Sequence, residues 1–131
     1  MTRREARECI VQMQYNLSFH NIEDATQILE QQLKEVKGKV KNFITEEYNG
    51  VIQNQSEIDN IIIDYLNGWN IDRIARVDLM ILRLAIYEIK WQQDVPNKVA
   101  ITEAVEISKT YSTEKSPQFI NGILAKVVGD E

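Results

Sequence analysis

The sequence predicts an all-α fold: a compact single domain, residues 1–131, of about seven helices. Two observations carry the all-α expectation. Apolar residues recur at i, i+3, i+4 and i+7 through successive segments, which is the period of a helix with one buried face, and no segment shows the alternation of a half-buried strand. Only five glycines and two prolines occur in 131 residues, too few for a β-sandwich or a disordered tail. A chain of this length suits one domain and can bury a core without disulfides or metal.

Taken in order, the segment from Thr2 to about Ser18 places Ala6, Cys9, Ile10, Met13 and Leu17 on one stripe. Arg3, Arg7 and Gln14 lie along one flank of it, and Arg4, Val11 and Tyr15 cluster further round. This arrangement expects guanidinium groups and an aromatic ring on the solvent side, either as a plain solvated face or as a binding surface. A second helix is expected from near Glu23 to Val36, with Ile28, Leu29, Leu33 and Val36 inward and Gly38 ending it. The third, near Lys39 to Asn54, carries Val40, Phe43, Ile44, Val51 and Ile52. Ser56 opens S-E-I-D, a capping box with Asp in place of Glu, and predicts a fourth helix that Asn67-Gly68 stops.

The segment "IDRIARVDLMILRLAIYEIKW" is apolar almost all round, which predicts a helix buried on most sides. Asp78, Arg83 and Glu88 interrupt it, and charges set among so much apolar surface are expected to be paired or at the rim. Asp94-Val95-Pro96 closes it, and a further helix from about Asn97 to Tyr111 sets Ile101, Ala104, Val105 and Ser108 on one narrow face. In the last helix, "SPQFINGILAKVV", Ser116 reads as a cap and Pro117 as an early helical residue. Ile120, Ile123, Leu124 and Val127 form its buried stripe, while Phe119 lies about 100° away from them. Gly122 inside this helix reads as a close approach of the first helix.

The net charge of −5 counts against nucleic acid unless positive charge is concentrated locally. Arg3, Arg4 and Arg7 against Glu5 make the N-terminal end basic on an acidic body. One cysteine and one histidine, Cys9 and His20, offer neither a disulfide nor a metal set. Cys9 falls within the apolar stripe and reads as core. No phosphate-binding loop or nucleophile motif occurs, so an enzyme is not expected, nor a cofactor or metal. The absence of a signal peptide or a membrane-spanning run makes the cytoplasm the expected compartment.

Three stretches, "RREARECIVQMQY" from Arg3, "RVDLMILRLAIYEI" continuing to "DVPNKVAITEAVEISK", and "SPQFINGILAKV", occur in order across essentially the whole chain. Together they resemble the NusB family of bacterial transcription antitermination factors. The resemblance implies a fold of two helical bundles, and binding of boxA RNA together with the ribosomal protein NusE. With other Nus factors and RNA polymerase, that complex supports readthrough of terminators, notably on ribosomal RNA operons. It further implies that Arg3, Arg4, Arg7 and Tyr15 of the first helix contact RNA. Phe119 matches a family aromatic near the RNA surface, so its place off the core stripe is explained by a base or sugar, or else by packing on the other bundle. Asn121 could bond a base edge or cap a neighbouring helix. Tyr65 and Asp78 match positions that look like the NusE interface, although Asp78 is equally suited to a helix start.

Departures from the family pattern are Lys115, where many members carry an acid, Thr102 in place of asparagine, and a short basic N-terminus. Lys115 is expected to raise RNA affinity, and NusE to complete the RNA surface. Two other readings fit the same residues: a homodimeric helical interaction module, and the NusB-like RNA-binding domain of an rRNA methyltransferase.

Overall fold

Residues 1–131 are described by a computed structural model, in which the most apolar segment of the sequence becomes the central helix. The helices are α1 (Arg3–Leu17), α2 (Ala25–Gln32), α3 (Lys39–Gln53), α4 (Gln55–Asp64), α5 (Arg76–Trp91), α6 (Asn97–Tyr111) and α7 (Ser116–Gly129), with short 3-10 turns at Ile22–Asp24 and Ile71–Arg73. Helices α1 to α4 form one bundle and α5 to α7 the other; α5 also packs against α1, α3 and α4, so it is the wall the bundles share. Met80, Ile81, Leu82, Leu84, Ala85, Ile86 and Ile89 of α5 are all buried, as a helix without a polar face requires. No helix is long and apolar enough to cross a membrane.

Local chemistry explains most helix ends. Thr2 and Glu5 cap α1 reciprocally: the Glu5 N–H donates to the Thr2 hydroxyl at 3.1 Å and the Thr2 N–H to the Glu5 carboxylate at 2.7 Å. Asn67 and Gly68 stop the chain after α4 with consecutive positive φ angles of 51° and 86°, a conformation asparagine and glycine tolerate best. Cys9 is buried, and burial pushes its thiol pKa up.

Four details depart from the sequence expectations. The second helix ends at Gln32 instead of Val36, although Leu33 and Val36 still reach the core from a non-helical turn. Apolar spacing reports only that those side chains point inward. The Ser56 capping box does not form, because α4 begins at Gln55, one residue after α3, and Ser56 lies inside it. At that junction the Asn54 amide donates to the Gly50 carbonyl at 2.8 Å and satisfies the end of α3. Ser116 is likewise inside its helix, with its hydroxyl turned toward Asp78.

Gly122 is not a packing contact: a Cβ added there would meet nothing within 4 Å. The glycine that permits close helix approach is Gly50 on α3, where an added Cβ would overlap the Tyr87 ring of α5. Tyr87 cannot readily yield, since it stacks on Trp91 with centroids 6.0 Å apart and its hydroxyl accepts from the Gln92 amide at 3.1 Å. Gly50→Ala should therefore cost about 1–3 kcal/mol by overpacking. A lower urea midpoint at unchanged slope would check this, and a variant as stable as the parent would refute the contact.

Candidate functional site

The stripe of α1 is buried as its spacing predicts, but α3, α5 and α6 cover a second side of the helix as well. That cover overturns the expected solvent position of Arg7. Only 6% of Arg7 is exposed, and its guanidinium donates to both Glu88 oxygens at 2.8 and 2.9 Å. Val11 and Gln14 are buried with it, and the Gln14 amide donates to the Met80 carbonyl at 3.2 Å. Arg4 remains on the surface, forked onto Glu103 of α6 at 2.6 and 3.2 Å. Arg3 is exposed, in no ion pair, and lies 4.1 Å above the Phe43 ring centre. Of the three arginines expected to face RNA, Arg3 alone holds no carboxylate.

Buried next to the Arg7–Glu88 pair is Glu47 of α3, only 1% exposed. Arg7 is committed to Glu88 and Arg4 to Glu103, and no cation forms an ion pair with Glu47. Burial first, and the neighbouring Glu88 second, push the Glu47 carboxyl up to about 9. At neutral pH Glu47 is thus a neutral acid among charged partners.

Tyr15 stays exposed near the end of α1, as expected, in an edge-to-face contact with Phe19 at 5.1 Å. Arg76 lies 4.3 Å over the other ring, Phe19. Sequence reading assigned no role to Phe19 or Arg76. Phe19 could have been noticed as an aromatic outside every stripe, but its partner is remote in the chain and no spacing rule joins them.

Across the molecule, the α4–α5 connection and α7 enclose a groove of about 690 Å³. It brings together four residues singled out from the sequence: Tyr65, Asp78, Lys115 and Phe119. Phe119 is 37% exposed and is not part of the core cluster, which favours its reading as a surface aromatic. Tyr65 is half-buried, with its hydroxyl donating to Asp130 at 2.7 Å. Asn121 is exposed on α7 but is not in the groove wall.

Asp78 is 5% exposed and is not the free acid an interface role requires. Its carboxylate accepts from the Ser112 hydroxyl and from the Ser116 hydroxyl at 2.9 Å, while Ser116 accepts from the Thr113 N–H at 3.2 Å. The carboxylate thereby pins the α6–α7 connection to the first turn of α5, and so fixes where Lys115 and Phe119 stand. Trp69, Arg73 and Lys126 also line the groove and were missed. The only sequence signal for Trp69 was an aromatic next to a turn dipeptide.

Two outcomes follow from the buried charges. Arg7→Ala strands Glu88 and should cost about 3–5 kcal/mol in chemical denaturation, whereas Arg4→Ala should move the unfolding midpoint far less, because the Arg4 guanidinium is half exposed and Glu103 keeps Arg7 beside it. The raised carboxyl means that the folded protein holds a proton the unfolded chain has released, from the ordinary value of 4.5 up to about 9. This contribution is complete below the lower value and is lost as pH rises toward the upper one. Glu47→Gln should match the parent in thermal unfolding near the acid end of that window and exceed it near the alkaline end. Parallel curves would show that Glu47 is ionised in the fold.

Comparison with known proteins agrees with this architecture. The NusB family model matches residues 4–129. A Listeria monocytogenes protein named transcription antitermination protein NusB is 41% identical over 132 aligned residues, covering 100% of this chain and 99% of its own. Its Clostridium novyi counterpart is 36% identical, with 98% of each chain covered. Among solved structures, T. maritima NusB superposes with a TM-score of 0.93 at 38% identity, covering 100% of this chain and 93% of that one. The NusB chain of a complex of antitermination factors NusB and NusE with dsRNA has the same fold, with a TM-score of 0.87 at 23% identity. With the family model spanning both bundles and relatives aligned from end to end, this chain belongs to the NusB family.

Proposed function

We propose that this chain is a transcription antitermination factor that binds boxA RNA together with NusE and, with other Nus factors, supports readthrough by RNA polymerase, notably on ribosomal RNA operons. The observation that carries this reading is the end-to-end similarity to proteins named for antitermination. The solved NusB–NusE–dsRNA complex, of the same fold, supports RNA and NusE as the partners.

On this reading, RNA meets the exposed arginines of α1 and the rim of the α7 groove. Arg3 and Arg4 supply phosphate contacts, Tyr15 an aromatic edge, Lys115 and Phe119 a cation and a ring, and Asn121 a base-edge contact. Arg7 acts through Glu88 by holding α1 in place. Tyr65 belongs to the NusE side, and Asp78 lies between the two partners, fixing the loop that carries Lys115 and Phe119. The chain carries a net charge of −5, so RNA is held only where local cations outweigh it, and affinity falls steeply with salt.

A labelled boxA RNA and a scrambled control, each titrated with and without NusE, test the reading. BoxA should be preferred, NusE should tighten it, and Lys115→Glu should weaken it about tenfold, or about 1.4 kcal/mol. Failure of either RNA to bind with NusE present would overturn the proposal.

A further inference from the structure

Trp69 is the most exposed of the large apolar side chains, at 66%. Its position is built: Asn67 and Gly68 take consecutive left-handed conformations, and the Trp69 N–H donates back to the Leu66 carbonyl at 3.0 Å. The Asn70 side chain then accepts from the Asp72 N–H at 2.9 Å and starts the 3-10 turn that carries Arg73. A defined turn therefore holds a tryptophan in water, at the cost of the apolar burial that ring could otherwise make.

Trp69 and Phe119 reach the groove from different elements, the α4–α5 connection and α7. Gly122 stands three positions after Phe119 with open space where a side chain would be, so nothing on the next turn of α7 crowds the ring. Around the two aromatics lie Arg73, Lys115 and Lys126, all exposed and none in an ion pair. The one carboxylate in the lining, Asp78, is occupied by Ser112 and Ser116. An acidic molecule thus concentrates three uncompensated cations around a pair of rings.

We propose that Trp69 and Phe119 are two walls of a slot that takes an unpaired RNA base, with Arg73, Lys115 and Lys126 meeting the flanking phosphates. Aromatic faces beside unpaired cations are the chemistry by which proteins hold single strands, since a base in a duplex is already stacked and its face is closed. A basic protein segment would be repelled by the same three charges. The inference rests on the RNA-binding reading and adds to it Trp69 as a contact and the base slot that it forms with Phe119.

Trp91 is stacked on Tyr87, so Trp91→Phe leaves Trp69 as the sole tryptophan reporter. In that variant, single-stranded boxA RNA should quench the emission, and the same sequence annealed to its complement should not. In the otherwise native chain, Trp69→Leu should weaken single-stranded RNA about tenfold, within the range of one lost stack, and Trp69→Phe should restore most of it. Circular dichroism and thermal unfolding should be unchanged for this exposed position. Parent-like affinity of Trp69→Leu with no quenching, while Lys115→Glu still weakens RNA, would overturn the slot and leave the RNA reading standing. Quenching by NusE with none by single-stranded RNA would assign the groove to protein and overturn the slot. Absence of RNA binding in the parent, even with NusE, would overturn both.

Discussion

Helix α5 offers water almost no polar face, so it has to be covered around its circumference. Helices α1, α3 and α4 cover it on one side and α6 and α7 on the other. The two-bundle arrangement is the geometric consequence of satisfying that one helix. Its few charges are then forced into specific pairings: Glu88 with Arg7, Arg83 with Asp59 at 2.8 and 2.9 Å, and Asp78 with the serines before α7. Each pairing joins α5 to a different part of the chain, so the polar residues that interrupt its apolar run also fix the register of its neighbours.

The same constraint explains why the arginine-rich first helix is less free than its charge suggests. A helix that packs against α5 cannot keep a whole flank in solvent, and the flank carrying Arg7 and Gln14 is enclosed. Buried charge of this kind is tolerated only with matched partners, and with its cation already matched the site keeps Glu47 neutral. Basic character in a sequence is therefore divided between structural and available cations. Here Arg3 is the α1 arginine without a carboxylate, and Arg73, Lys115 and Lys126 stand unpaired around the α7 groove.

The groove owes its shape to features that lie in separate parts of the chain. Asp78 in the first turn of α5 holds the loop before α7, and Asn67-Gly68 turns Trp69 outward. Together they place Trp69 and Phe119 in the lining of one groove with Arg73, Lys115 and Lys126, outside the core cluster.

By itself the sequence determined the helices and their inward stripes, because helical periodicity is local: the Ile120, Ile123, Leu124 and Val127 face, the burial of Cys9, the Asn67-Gly68 stop and the surface position of Phe119 were all readable from spacing. Its ordered motifs also determined the family. Only the tertiary structure decided what covers a stripe's flanks, and therefore that Arg7 is buried while Arg3 is not, that Asp78 is bound within the fold, and that Gly50 rather than Gly122 admits a neighbouring helix. Only it brought Trp69 to Phe119. Those outcomes depend on which distant helix lies alongside, and a local period carries the direction of a side chain but not the identity of its neighbour.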